Sequence, residues 1–312
     1  MADVLLRLHL GTGEDALGPL RECCSLATRR LYIHVGGYVQ CSGDHDHTTL
    51  AFPMSNTELA LRCLAAWYDV VARVEPRLDV VPLFHEAGWT EEKVAILEGL
   101  GTICASVDEK ETAQHSVQTM NAVREARDLA PLELTILQAN GAEEREGQSW
   151  DKGYWQTFER VAMGGTFDRL HAGHRLLLAA TALVCSGHAF VGVTVDKMLH
   201  HKQHADLLEP FATRSGAAVD FIRTVRPSLE VHVSQLGDPA EPTIAETDPS
   251  VEAIVVSRET IIGAEKINEG RSRRGFEPLQ VIVVGLVGDS GTQGSKLSSS
   301  QLREADARAY VS

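Results

Sequence analysis

The stretch ERVAMGGTFDRLHAGH, residues 159–174, decides the fold class of this chain. Its first part, residues 159–165, is predicted to be a β-strand that runs into a glycine turn, and residues 172–186 are predicted to form a helix. Gly164 and Gly165 allow the backbone to turn tightly and to approach a ligand closely. Because open α/β sheets bind ligands at the carboxyl ends of their strands, this junction predicts an α/β fold with a binding site at the turn.

The residues that follow the turn are suited to an anion. His171 and His174 are three positions apart, so they share one face of the first helical turn. A helix N-terminus presents backbone amides and the positive end of the helix dipole. Two imidazoles at this place would add hydrogen-bond donors to a phosphate group. The junction therefore predicts a phosphate-binding site.

A second phosphate-binding candidate is the stretch KLSSSQLR, residues 296–303. Serine hydroxyls at the start of a helix either cap that helix or bind phosphate oxygens. Arg303 follows the serines by about one helical turn. An ordinary serine cap is the alternative when this stretch is considered alone. The presence of the first motif favours the phosphate-binding interpretation.

Strand-like and helical stretches alternate along both halves of the chain. Continuous apolar runs separated by helices are typical of parallel sheets that are covered on both faces. We therefore expect two tandem Rossmann-like α/β domains, at residues 1–138 and 158–312. Residues 139–157 are polar and contain the charge run Glu143-Glu144-Arg145-Glu146, so we interpret them as a linker. The other elements predicted in the second half are strands at 188–195, 229–236, 252–257 and 279–287 and helices near 210–225, 259–274 and from about Ser299.

The two halves look like copies of one another. Residues 74–80 match residues 225–231 at an offset of 151, and Ser106 matches Ser257 at the same offset. At an offset of 147, Asn121, Arg124, Arg127, Pro131 and Leu132 match Asn268, Arg271, Arg274, Pro278 and Leu279. The alternative is a coincidence between two ordinary helix-to-strand junctions, where proline often precedes an apolar strand. We interpret the matches as an internal duplication.

The first copy lacks the residues of the candidate site. Its first predicted strand is followed by Gly11-Thr12 but by no pair of histidines, and Glu14 and Asp15 would repel a triphosphate. No serine motif follows its last predicted strand, residues 134–137. We therefore predict that residues 1–138 form a degenerate, non-catalytic domain that packs against the second half.

The composition narrows the classes of partner. The 312 residues include 43 acidic and 29 basic ones, which gives a formal net charge of −14. This balance argues against a general affinity for nucleic acid or for an anionic membrane. No apolar run approaches the ~18–20 residues that a membrane span needs, and the N-terminal stretch lacks the basic segment of a signal peptide. The six cysteines form no CxxC pair, so reduced thiols and a cytoplasmic location are expected.

The chain resembles the nucleotidylyltransferase superfamily, whose members are also described as cytidylyltransferase-like. The resemblance rests on GTFDRLHAGH, which fits the superfamily's GTFDxxHxGH signature, and on KLSSSQLR, which stands where the family has an ISSTxxR-type signature. Over residues 159–311 the chain is most similar to the eukaryotic-type phosphopantetheine adenylyltransferases. Further matches lie at residues 195–197, 207–211, 226–229, 257–260 and 267–268.

The resemblance implies an adenylyl-transfer reaction. ATP and 4′-phosphopantetheine would give dephospho-CoA and pyrophosphate, a step of coenzyme A biosynthesis, with Mg²⁺ bound to the ATP rather than at a dedicated protein site. The nucleophile would be the phosphate of the acceptor substrate, which is already anionic at neutral pH. Catalysis would then rest on positioning and on stabilising charge at the α-phosphate, with no general base.

The resemblance also implies roles for individual residues. Thr166 and His174 would contact the reacting phosphates, and Lys202 would bind a phosphate, which makes these three the catalytic set. Lys202 follows Asp196 by six residues, the spacing of a phosphate-binding lysine in related cytidylyltransferases, and Lys197 is the competing choice. The implied ATP-binding set is Gly164, Gly165, Thr166, Phe167, His171, Gly173, His174, Arg271, Ser298, Ser299, Ser300 and Arg303. The implied set for the acceptor phosphate is Thr166, Lys197 and Lys202.

Two other functions stay open. A cytidylyltransferase that acts on a phospho-alcohol such as phosphoethanolamine also uses the first signature, but it usually carries an RxEGIST-type motif instead of KLSSSQLR. A non-catalytic binding module of the same fold is the third hypothesis, and the intact pair of motifs argues against it.

We expect no dedicated metal site from the sequence. The stretch Asp44-His45-Asp46-His47 is interpreted as a solvated loop. His200, His201 and His204 surround Lys202, and we interpret them as part of a substrate loop, because no cysteine or acidic partner has zinc-ligand spacing.

Overall fold

The computed structural model describes residues 3–9, 16–36, 56–138, 155–238, 240–285, 287 and 299–311. Within these residues the chain forms two five-stranded sheets, one from each half of the sequence. Ser298, the stretches 11–15 and 44–47 and residues 139–154 of the expected linker lie outside the described residues.

The first sheet has the strand order β3-β2-β1-β4-β5. β1 pairs in parallel with β2 and with β4, and β4 pairs in parallel with β5. The strands are β1 (Asp3–His9), β2 (Arg30–Gly36), β3 (Asp79–Phe84), β4 (Leu100–Ala105) and β5 (Glu133–Ile136). The helices are α1 (Leu17–Leu26), α2 (Asn56–Val74), α3 (Glu91–Ala95) and α4 (Lys110–Glu125).

The second sheet has the strand order β10-β9-β6-β7-β8, and its strands pair in parallel throughout. The strands are β6 (Phe158–Gly165), β7 (Cys185–Thr194), β8 (Glu230–Leu236), β9 (Ala253–Ser257) and β10 (Gln280–Val284). The helices are α5 (Ala172–Val184), α6 (Phe211–Val225), α7 (Ile244–Thr247), α8 (Ile261–Arg273) and α9 (Ser299–Val311). The expected α/β class with two Rossmann-like parallel sheets is confirmed.

The element bounds differ little from the prediction. The first helix of the second half ends at Val184 rather than at 186, because Cys185 already has extended backbone angles and pairs with Phe158 in the sheet. The strand predicted to start at 188 accordingly starts at Cys185.

Helix α5 connects the candidate site to the core. Every residue from Leu176 to Val184 is buried. A helix that is apolar on all sides is covered on all sides, so its axis is held firmly. The packing of α5 therefore fixes the position of its N-terminus at the carboxyl end of β6.

The chain divides into two compact units. One comprises Met1–Cys63 with Pro82–Gln156, and the other comprises Leu64–Val81 with Thr157–Ser312. The domain boundaries at residues 138 and 158 stay predictions.

Among the residues that the structure describes, none of the helices has the length and apolar content that a bilayer crossing demands.

The two sheets repeat one topology. Numbered within its own half, each has its first strand at the centre and the order third, second, first, fourth, fifth. In the first half Asn121 donates through Nδ2 to the Leu132 carbonyl oxygen at 3.1 Å and accepts at Oδ1 from the Leu132 amide at 2.7 Å. Asn268 makes the same two bonds with Leu279, at 3.1 and 2.8 Å. These paired bonds support the predicted duplication.

A buried arginine repeats in the same way. Arg124 donates through Nη2 to the carbonyl oxygen of Leu100, and Arg271 donates through Nη2 to that of Val251. Both arginines are buried. Leu100 is the first residue of β4, and Val251 lies two residues before β9, so each arginine ties the end of a helix to the place where the preceding strand starts.

Candidate active site

The turn after β6 is shaped by one ring that lies under it. Phe167 is fully buried and has a φ of 54°, and Arg169 has a φ of 46°. A Cβ atom on Gly165 would lie 2.8 Å from the Phe167 ring, closer than real Cβ atoms approach. The glycine is therefore required at position 165. Because it has no side chain, a ligand can approach the backbone at the end of β6.

His171 is the N-cap residue of α5. Its backbone is extended, and its Nδ1 accepts a hydrogen bond from the Gly173 amide at 3.2 Å. The His171 and His174 rings are stacked, with centroids 4.0 Å apart. The sequence prediction that both imidazoles share one face of the first turn agrees with this geometry.

The imidazole of His174 is held in its neutral form. Burial lowers its pKa well below the ordinary value, and His171, Lys202 and Arg175 lower it further. The Nδ1 atom of His174 is buried and has no hydrogen-bond partner among the described residues. A buried polar atom without a partner is costly, so this nitrogen is prepared for a ligand that supplies one.

A cavity of about 350 Å³ opens at the carboxyl ends of β6 and β9, beside the first turn of α5. It gathers nine of the residues that the sequence analysis selected. They are Gly164, Gly165, Thr166, His171, Gly173, His174, Lys202, Ser299 and Ser300. The first motif and the serine motif, 125 or more residues apart in the sequence, therefore form one site.

Of the two competing lysines, the structure brings Lys202 to this cavity. Burial lowers the pKa of Lys202, as do the nearby Arg303 and Arg214 guanidinium groups. Lys197 is not a lining residue, and its side chain lies beside Gly237 instead.

Arg271 does not lie at the cavity, contrary to the expectation that it binds ATP. It is 1% exposed, and its Nε donates to the Glu277 carbonyl oxygen at 2.7 Å. Its Nη1 and Nη2 atoms donate to the main-chain carbonyl oxygens of Ala245, Asp248, Pro249 and Val251. All of its donors are engaged, so the arginine holds a turn and leaves no N–H group for a phosphate.

Arg303 also has another partner than the one expected. It is fully buried and donates through Nη1 to the Asp168 carboxylate at 2.6 Å. Asp168 is fully buried as well, and its carbonyl oxygen accepts from the Ser299 hydroxyl at 2.9 Å. This ion pair joins α9 to the turn after β6, so Arg303 positions Ser299 and Ser300 rather than facing the cavity itself.

Arg214 is a positioning residue that the sequence analysis missed. It is fully buried and donates to the carbonyl oxygens of Thr166 and Thr194 and to the Asp196 carboxylate at 2.6 Å. Hydrogen bonding to Arg214 lowers the pKa of Asp196. These bonds tie the ends of β6 and β7 together, which sets the position of Thr166 in the cavity wall.

A second, apolar cavity of about 180 Å³ lies next to the first and shares Gly164 and Thr260 with it. Its wall includes Gly192 from β7 and Leu236 from β8. No local sequence pattern predicts this cavity, because its residues come from four strands and two helices. A polar cavity adjoining an apolar one can hold a ligand with an anionic end and an apolar arm.

The two central strands can be aligned through their registers. In β1 and β4, Leu6 pairs with Cys104, and in β6 and β9, Met163 pairs with Val255. Cys104 and Val255 are related by the offset of 151 seen in the sequence matches. The two pairs are therefore equivalent positions of the two copies.

In this alignment the first unit has large side chains where the second has glycine. Arg7 pairs with His34 across β1 and β2, as Gly164 pairs with Gly192 across β6 and β7. Arg7 is 8% exposed and lies 3.0 Å from the Glu91 carboxylate, and His34 is 2% exposed. In the first unit these buried side chains occupy the positions of Gly164, which borders both cavities of the second unit, and of Gly192, which borders the apolar one.

Comparison with known proteins gives matches over the second half of the chain. Residues 162–305 match the family model described as cytidylyltransferase-like. The chain is 39% identical over 148 residues to a phosphopantetheine adenylyltransferase of Saccharomyces cerevisiae. It is 40% identical over 146 residues to one of Methanopyrus kandleri, and 37% identical over 147 residues to one of Pyrobaculum aerophilum.

These matches cover different shares of the relatives. Each spans 47% of this chain. The matched region is 48% of the yeast protein but 89% and 90% of the two archaeal proteins. The chain thus spans about half the length of the yeast relative and most of the length of the archaeal ones.

Proposed function

The chain belongs to the cytidylyltransferase-like family, and from this premise we propose that it transfers AMP from ATP to 4′-phosphopantetheine. The products would be dephospho-CoA and pyrophosphate. The relatives named phosphopantetheine adenylyltransferase suggest this substrate pair, and the two adjoining cavities suit it.

The observation that carries the proposal is the polar cavity at the N-terminus of α5. The helix end, the two imidazoles, Lys202 and the hydroxyls of Ser299 and Ser300 converge on a space of about 350 Å³. Hydrogen-bond donors and positive charge concentrated at a helix N-terminus favour a polyphosphate.

The proposed reaction is an in-line displacement at the α-phosphorus of ATP. An oxygen of the acceptor phosphate forms the new P–O bond, and the bond from the α-phosphorus to the bridging oxygen breaks, releasing pyrophosphate. The acceptor phosphate is already anionic, so no side chain has to remove a proton. Thr166 and Lys202 would hold the reacting phosphates, and neutral His174 would donate a hydrogen bond to charge that develops at the α-phosphate.

Mg²⁺ would enter this site as part of the nucleotide substrate. Among the described lining residues Glu259 is the one carboxylate, and a dedicated Mg²⁺ site usually draws on carboxylates together with substrate phosphates. The donor set therefore suits a metal ion that is carried mainly by the triphosphate.

The apolar cavity would take the pantetheine arm. It shares Gly164 with the polar cavity, so an acceptor with its phosphate at the reacting centre would reach it. Gly192 and Leu236 would contact this arm. In the first unit Arg7 and His34 take the positions of Gly164 and Gly192, which supports our proposal that this unit is a non-catalytic copy.

A substrate panel tests the proposal. Pyrophosphate release is measured with ATP or CTP as donor and with 4′-phosphopantetheine or phosphoethanolamine as acceptor. We expect release only with ATP and 4′-phosphopantetheine. Turnover only with CTP and phosphoethanolamine would assign the chain to the cytidylyltransferases, and no turnover with any pair would indicate a binding module.

A further inference from the structure

Three side chains that can ligate a metal ion meet on one face of the second sheet, beside Phe190, which lines the apolar cavity. In the register of β7 and β8, His188 lies opposite Glu230, and His232 lies two residues further along β8. Side chains two residues apart on a strand share a face, so all three point to the same side of the sheet.

The donor atoms of these side chains converge. The His188 Nδ1 and His232 Nε2 atoms are 3.1 Å apart, the His188 Nδ1 and Glu230 Oε2 atoms are 3.3 Å apart, and His232 Nε2 lies 4.0 Å from the same oxygen. Ligands at about 2.0–2.2 Å from a tetrahedral Zn²⁺ lie roughly 3.3–3.6 Å from each other. Two of the three separations are close to that value, and the third, from His232 to Glu230, is about half an ångström longer.

We propose that His188, Glu230 and His232 bind a transition-metal ion of the Zn²⁺ class. Two imidazoles and a carboxylate are a donor set that suits Zn²⁺. Glu230 and His232 are exposed, so a water molecule would complete the tetrahedron from the solvent side.

The surroundings support binding at this place. The His232 ring stacks on Phe190, with centroids 5.0 Å apart and planes 19° apart, which restricts its rotation. Arg160, which is opposite His188 on the neighbouring strand β6, lies over the Phe190 ring and pairs with Asp248 at 3.2 Å. Its charge is thus turned towards a carboxylate, which reduces its repulsion of a metal ion.

The proposed ion would join the edge strand β8 to its neighbour β7. β8 pairs with β7 and ends the strand order of the sheet, so only one ladder holds it. A ligand from each strand at the same level would add a cross-strand link. This proposal does not depend on the proposed reaction, because none of the three side chains is a lining residue of either cavity.

Metal binding to the tag-free full chain tests the proposal. After dialysis against a chelator, the protein is titrated with Co²⁺, whose visible absorption reports imidazole ligation, and with Zn²⁺ in equilibrium dialysis. We expect one ion that is lost in the double variant His188→Ala/His232→Ala. Glu230→Gln should weaken its affinity at least about tenfold, the scale on which metal-site residues act.

The matched control is His45→Ala/His47→Ala, which removes another pair of histidines two residues apart in the sequence. It should keep the ion with unchanged affinity. Thermal unfolding of each variant without metal checks that the fold is intact. Binding that disappears in the control but persists in His188→Ala/His232→Ala would overturn the proposal, and so would the absence of saturable binding by the unaltered chain.

Discussion

Replacement of His174 by alanine is the sharpest test of how the polar cavity works. The imidazole lines the cavity, its pKa lies well below the ordinary value because of burial, and its Nδ1 has no partner among the described residues. We expect His174→Ala to lower kcat strongly while the KM values for both substrates change by less than about threefold. This split follows if the hydrogen bond forms mainly in the transition state.

The size of the effect follows from the number of donors that are lost. A neutral imidazole has one N–H group, so the variant loses one hydrogen bond to the developing charge. Loss of one such preorganised donor lowers kcat by about 10²–10³-fold, or ~3–4 kcal/mol. The loss should not come from unfolding, because the side chain lies at the cavity wall and α5 is held by its buried residues from Leu176 onward.

The assay is steady-state pyrophosphate release with ATP and 4′-phosphopantetheine, and circular dichroism checks the fold. His115→Ala is the matched control, because this exposed histidine lies on α4 and is not a lining residue of the cavity. It should leave kcat within about twofold of the unaltered value. A His174→Ala variant with kcat within about threefold of the unaltered enzyme would refute the role assigned to this side chain.

Three further predictions concern stability and the acceptor cavity. Burial lowers the pKa of His34 to about 4, against ~6.5 in the unfolded chain. The neutral, buried imidazole therefore contributes its full share to the free energy of unfolding above about pH 6.5. This share, up to about 3 kcal/mol, is lost as the pH falls from about 6.5 through the folded-state pKa. Urea unfolding at pH 7.5 and 4.5 should show this loss, and His34→Gln should lack it. Asn121→Ala and Asn268→Ala should each cost about 2–3 kcal/mol in the same assay, because each removes two hydrogen bonds and leaves main-chain groups unpaired; costs below about 0.5 kcal/mol would contradict this. Gly192→His places the first unit's residue, His34, at the equivalent position of the apolar cavity. It should raise the KM for 4′-phosphopantetheine by about tenfold or more and leave the KM for ATP within about threefold, because even a Cβ atom at position 192 would meet Leu236 at 3.0 Å. Equal effects on both KM values would argue against the assigned cavity.

The fold was predictable because its signals are local. Apolar runs marked the strands of the second half to within three residues, and the glycine turn after β6 marked the start of α5. The duplication was visible because Asn121 and Asn268 lock equivalent helix-to-strand turns through their own hydrogen bonds. Such residues keep their spacing in both copies, since the turn depends on them.

The roles of the buried arginines could not be predicted from local sequence patterns. The family resemblance implied that Arg271 and Arg303 bind ATP, yet Arg271 holds a turn and Arg303 pairs with Asp168. A phosphate-binding arginine and a structural one have the same local sequence pattern, and only the tertiary partner distinguishes them. Arg214 was missed for the same reason, because its four acceptors come from three separate segments.

The apolar cavity and the His188–His232 cluster depend on strand register. Register decides which residues of neighbouring strands are opposite one another, and a shift by one residue would turn each side chain to the other face. The sequence predicted the strands but not their pairing, so neither feature could be derived from it.

The most direct measurement follows the phosphorus atoms of ATP. The full chain is incubated with 4′-phosphopantetheine and with ATP labelled either at the α- or at the γ-phosphate, and the products are separated and counted. Adenylyl transfer predicts that the α-label appears in dephospho-CoA and the γ-label in pyrophosphate, and that both transfers fall together in His174→Ala. A γ-label attached to the acceptor, or no label in any acceptor product, would contradict the proposed function.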